Sequence, residues 1–156
     1  MKTLLSILVV GLLLPFTGRP VAAQEGKTYE TQEPVYDVVL IHIHPNQGDK
    51  YLNALEKTWV PGVEEAIKEG LTEDYHIYES ITPQDRGFNL LLVTKSPNLA
   101  TFDATAALRK KLDEIQKRVE ARMSQAATDS VTDLVYPQIR TILSEKLVRE
   151  IKFMGQ

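Results

Sequence analysis

The chain has 156 residues, no cysteine, and 21 acidic against 18 basic residues, a formal charge of −3. Without cysteine it has no disulfide framework, no thiol nucleophile and no lipobox. Its slight acidity argues against nucleic-acid or anionic-membrane binding, which take clustered Lys and Arg, and its length suits one domain around one core.

The start reads as a targeting segment. Met1-Lys2-Thr3 carries a positive charge, Leu4 to Phe16 is apolar apart from Ser6, Gly11 and Pro15, and Val21-Ala22-Ala23 offers small residues for a signal peptidase. Residues 1–23 are therefore expected to be a signal peptide cleaved near Ala23, sending the chain to the periplasm or the medium with no membrane attachment afterwards. An uncleaved anchor is the alternative, but the run falls short of the roughly 20 residues that span a bilayer. Loss of Lys2 and Arg19 leaves 16 bases against 21 acids, a charge of −5. Gln24 to Pro34 is polar and is expected to be a disordered leader. Residues 35–156 form the expected single domain.

Tyr36 to Pro45 reads as a first strand, near-continuously apolar until His42 and His44, which marks a central strand buried on both faces. Pro45 to Gly48 is turn chemistry, with Asp49 as the expected helix cap. From Lys50 the period turns helical: Leu52, Leu55, Trp59, Val63, Ala66 and Ile67 share a stripe. Pro61 inside that stripe predicts a break near Thr58, and Gly70 a C-terminal cap. Tyr75 to Ile81 alternates and Phe88 to Thr94 is apolar, so the two predict a hairpin. Ser96-Pro97 predicts the start of a second helix, striped through Leu108, Leu112, Ile115, Val119 and Met123. The mixed charges on its other face, among them Lys111, Glu114, Arg118 and Glu120, are expected to be solvated. Residues 126–145 give no clear pattern. Lys146 to Phe153 alternates and predicts a half-exposed edge or dimer-facing strand.

Strand, helix, strand, strand, helix, strand is the order of the split βαβ, ferredoxin-like arrangement: an α+β fold with a four-stranded antiparallel sheet and helices on one face. The bare face holds Val38, Leu40 and Tyr78, so a second copy packed sheet to sheet is expected to cover it.

Tyr51 and Leu52, Trp59-Val60-Pro61, Phe88 to Val93, Ser96-Pro97-Asn98-Leu99 and Arg140 to Phe153 together resemble the dimeric α+β barrel superfamily. The likeness is to EthD, NIPSNAP and antibiotic-biosynthesis-monooxygenase relatives, and most nearly to small secreted bacterial members of unassigned function. The resemblance implies a homodimeric barrel. For activity it implies a range from cofactor-free oxygenases through haem-degrading and chlorite-dismutase-like haem proteins to members without catalysis, and fold analogy does not choose among these.

Residues two apart on a strand point the same way, so His42 and His44 share a face, and strand parity adds His76 and Tyr78 on the side away from the helices. These four are the candidate ligand-binding residues. A histidine with Tyr78 suits general-base or hydrogen-bond chemistry on a small, largely apolar molecule, of cofactor-free oxygenase or isomerase type. A metal is the weaker reading, since His-x-His supplies two ligands where a site takes three or four, and Glu79 has the wrong parity. The bland reading makes the histidines satisfied polar residues at the dimer seam. Trp59 lies on the helical stripe and reads as core. The chain has no P-loop, G-x-S-x-G or Rossmann fingerprint, and no haem motif matches residue by residue. No catalytic residue, metal ligand or cofactor is assigned.

Overall fold

The computed structural model describes residues 28–82, 87–122 and 136–155. The expected signal peptide and the first residues of the leader lie outside them. Four strands make one antiparallel sheet in the order β2-β3-β1-β4. They are β1 (Tyr29–Ile43), β2 (Asp74–Glu79), β3 (Leu90–Ser96) and β4 (Arg140–Phe153). Helices α1 (Gly48–Lys57) and α2 (Trp59–Lys68) separate β1 from β2, and α3 (Ala106–Arg122) lies between β3 and β4. This is the ferredoxin-like strand order.

β1 sits between β3 and β4, and its odd-numbered residues face the helices. Ile41 and Ile43 join Leu90 and Leu92 of β3 and Tyr51, Ala54 and Leu55 of α1 in the buried core, with Val39 and Trp59 packed against it. Trp59 also meets Tyr75 of β2 edge-on, ring centroids 5.5 Å apart. It is a helix-to-sheet core residue.

The helical break falls at Thr58, which closes α1 and opens α2. Pro61 explains it. A continuous helix would ask Pro61 for an N–H to reach Lys57, whereas in the first turn of a new helix that position has no intrahelical partner. Gly70 sits at φ +71 beyond α2. Its N–H reaches Ile67 O at 3.0 Å and that of Leu71 reaches Ala66 O at 2.9 Å, the two bonds of a Schellman cap.

Several boundaries differ from those expected. β1 begins at Tyr29, so residues 29–34 belong to a strand, not to a disordered leader; Tyr29 to Thr31 pair with Ile151 to Phe153 of β4. β4 begins at Arg140, six residues before the alternation becomes clean, because a register shift beside Leu40 and Ile41 interrupts its period. Asp49 is a first-turn residue and not the cap, which is Gln47 without a side-chain bond. Ser96 ends β3. Asn98 instead caps a short 3₁₀ turn (Leu99–Phe102) by accepting from Ala100 N at 2.9 Å, and Thr105 caps α3 by accepting from Leu108 N at 3.1 Å. Ile115 and Val119 of α3 are buried.

The charges of α3 are not simply solvated. Glu65 of α2 is buried, and it accepts from Lys68 Nζ, Arg118 Nε and Arg122 Nη2, each at 2.7 Å. These hydrogen bonds, that from Lys68 first, hold the Glu65 carboxyl down at about 2 against the cost of burial. Arg118 also reaches Glu69 at 2.9 Å, so α2 and α3 are joined by fixed ion pairs.

Candidate functional site

The register defines the side of the sheet away from the helices. Tyr36, Val38 and Leu40 of β1 lie opposite Lys95, Val93 and Leu91 of β3, and these opposite Asp74, His76 and Tyr78 of β2. On the other flank they lie opposite Val148, Lys146 and Ser144 of β4. The centre of this face is apolar and its margins are polar. Its strand-centre residues are half-buried in the single chain, while Tyr78 stays 51% and Val148 44% exposed.

His42 and His44 close one end of that face, with ring centroids 6.1 Å apart. Asn89 fixes the backbone between them. Its Oδ1 accepts from Ile43 N at 2.7 Å and its Nδ2 donates to Ile43 O at 2.8 Å, so a side-chain amide extends the strand ladder by one step.

The two rings are held differently. His44 Nδ1 is 2.9 Å from Gln138 O, and its Nε2 is 3.1 Å from Thr141 Oγ1. A carbonyl only accepts, so Nδ1–H donates, and in the neutral ring Nε2 accepts from the Thr141 hydroxyl. Both nitrogens are spoken for. His42 Nδ1–H donates to Gly87 O at 2.8 Å. That bond fixes the tautomer and leaves Nε2 as an acceptor with no partner among the described residues.

His76 and Tyr78 make a second pair on β2, with rings 5.6 Å apart. His76 Nε2 sits 3.2 Å from Asp74 Oδ2, and its side chain is exposed. This pair is two strands from β1, about 10 Å across the sheet, and His76 lies further along it, level with Val38. The three histidines thus share a face but not a point. Among the described residues no group of three or more His, Cys, Asp or Glu is arranged to hold a metal ion, and no third ligand joins His42 and His44. Glu79 lies opposite Leu90, on the helix side.

One acid went without a role in the sequence reading. Asp37, the single charge in the run from Val35 to Ile41, faces the helix side and is 9% exposed. Its Oδ1 is buried without a hydrogen-bond partner among the described residues. Burial, with Glu145 on β4 adding repulsion, pushes its carboxyl up to about 6. An acid inside an apolar strand was the visible signal. A second buried polar unit is Tyr51, whose hydroxyl accepts from Arg140 Nη1 at 2.8 Å while the guanidinium carbon lies 5.3 Å from its ring centroid. This pair ties α1 to the start of β4.

No protein-family model matches the chain, and no curated protein matches it in sequence. Two solved structures are similar to it in shape. One is a dimeric ferredoxin-like protein from an uncultured marine organism, 8% identical over 80% of this chain and 91% of that one, with a TM-score of 0.41. The other is a conserved protein from Methanosarcina mazei Go1, 12% identical over 79% and 94%, with a TM-score of 0.39. The fold assignment rests on this chain's own strand order. Among the described residues no helix is long and apolar enough to cross a membrane.

Proposed function

We propose that the chain is an exported homodimer that closes its bare sheet face on a second copy, as a dimeric α+β barrel of the EthD and monooxygenase-like kind. Between the two sheets it holds a small, largely apolar molecule. The observation that carries this reading is His42 at the end of an apolar face, with Nδ1–H fixed on Gly87 O and Nε2 left as an acceptor. The ligand would present a hydroxyl or similar donor to Nε2 and apolar surface to Leu40 and Leu91. Where that donor is acidic, the same nitrogen is placed to take its proton, the first requirement of isomerase or cofactor-free oxygenase chemistry. His44, with both nitrogens engaged, positions the strand end and takes no part. His76 and Tyr78 line the far margin.

Native mass spectrometry of protein purified from its own source tests the reading. The expected result is a dimer carrying an organic species that is lost in His42→Phe while the dimer mass remains. A dimer whose facing sheets interlock solidly, with no space beside His42, would overturn ligand binding and favour a purely structural pairing.

A further inference from the structure

β4 lies at the sheet edge with β1 as its one strand neighbour among the described residues. It runs for 14 residues. Natural edge strands are commonly kept short, interrupted by proline or bulges, or guarded by charge. β4 has no proline, its register shifts against β1 fall on either side of Ser144 to Arg149, and Ile142, Leu143, Leu147, Val148, Ile151 and Phe153 on it are 44 to 63% exposed. Its central charges mirror one another in sign about Leu147 and Val148. From Glu145 to Glu150 the strand reads acidic, basic, apolar, apolar, basic, acidic.

We propose that the outer edge of β4 pairs antiparallel with β4 of a second copy, about a two-fold axis through Leu147 or Val148, so that two sheets join into one. The argument is one of register. A two-fold axis normal to the sheet sets the residue on the axis opposite itself. Axes through Glu145, Lys146, Arg149 or Glu150 would therefore set like charges face to face, which disfavours those registers. An axis through Leu147 instead sets Glu145 opposite Arg149 of the partner subunit, twice by symmetry. An axis through Val148 sets Lys146 opposite Glu150 of the partner subunit, again twice. The backbone donors and acceptors of the outer edge find partners in the same step. This contact uses the edge and leaves the bare face free, so it stands apart from the face-to-face pairing.

The chain has no cysteine, so a single introduced thiol reports alone. Directly opposed residues bring their Cβ atoms to about 4.5–5.5 Å, close to disulfide reach. Leu147→Cys or Val148→Cys should form a disulfide-linked dimer under mild oxidation at least about tenfold faster than Lys152→Cys, since a held pair raises the effective thiol concentration. Charge reversal gives a second readout. If the axis is at Leu147, Arg149→Glu slows cross-linking and adding Glu145→Arg restores it; if at Val148, Lys146→Glu and Glu150→Lys behave likewise. Equal rates at all three thiol positions, or no cross-link from either central position in variants with the native circular dichroism, would overturn the proposal. Val38→Cys reports the bare face instead. A cross-link there with none at β4 sinks the edge pairing and leaves the open-face reading standing.

Discussion

Asp37 contributes a pH dependence of stability opposite in sense to the usual acid response. Its carboxyl is pushed up to about 6 in the fold, from an ordinary value near 3.8, so the folded state holds the proton more tightly than the unfolded chain. The contribution is therefore complete below about 3.8 and is lost as pH rises through about 6. Asp37→Asn should remove that slope and stabilise the protein above pH 7 by about 1–2 kcal/mol, after discounting for solvent screening. Urea unfolding at several pH values checks it; an Asn variant with the wild-type slope would assign the slope elsewhere. Glu65 works in the opposite sense, its contribution fading as pH falls from about 4.5 towards 2. The histidine parity was readable from spacing alone. What spacing did not show was that His44 spends both nitrogens on Gln138 and Thr141 while His42 keeps one, because those partners come from Gly87 and from residues 138 and 141, distant in sequence.

Among the elements, those set by local chemistry were legible and those set by pairing were not. The break at Thr58 follows from one proline and the cap at Gly70 from one glycine. Gly70→Ala should cost about 1 kcal/mol, because nothing crowds the position and the penalty is that of a left-handed backbone for a residue with a Cβ. A thermal midpoint equal to wild type would show that the cap opens without cost. The extra length of β1 and β4 was hidden for the reverse reason. Tyr29 to Pro34 is polar and reads as disordered by itself, yet Tyr29 packs edge-on against Phe153 with ring centroids 6.3 Å apart. Neither end is a strand without the other. The bonds from Arg118 and Arg122 to Glu65 are likewise invisible to a helical wheel, which sees charge but not the neighbouring helix.

For the whole molecule, the strand order could be deduced from the alternation of elements, while the covering of the bare face could only be argued from its apolar content. Leu40 is the test position, central on that face and opposite Leu91 and Ser144. Leu40→Asp should halve the mass of the micromolar assembly by light scattering, leaving only what β4 pairing holds, since it would bury an unpaired carboxylate between the sheets. A dimer that persists unchanged in this variant, with β4 cross-linking intact, would place the association at the strand edge instead.

The pairing of β1 with β4 has a consequence in time. These are the first and last elements described, and β1 meets β4 along Tyr29 to Thr31 and Val35 to Ile43, but meets β3 only from Val35 to Ile41. The central strand therefore lacks its longer neighbour until Arg140 to Phe153 have been made. Loop closure between the two ends must precede the contacts that reward it, which slows folding relative to a domain of local contacts. A growing chain of this topology stays open until β4 has been made, and an open chain is the form that the export proposed above requires.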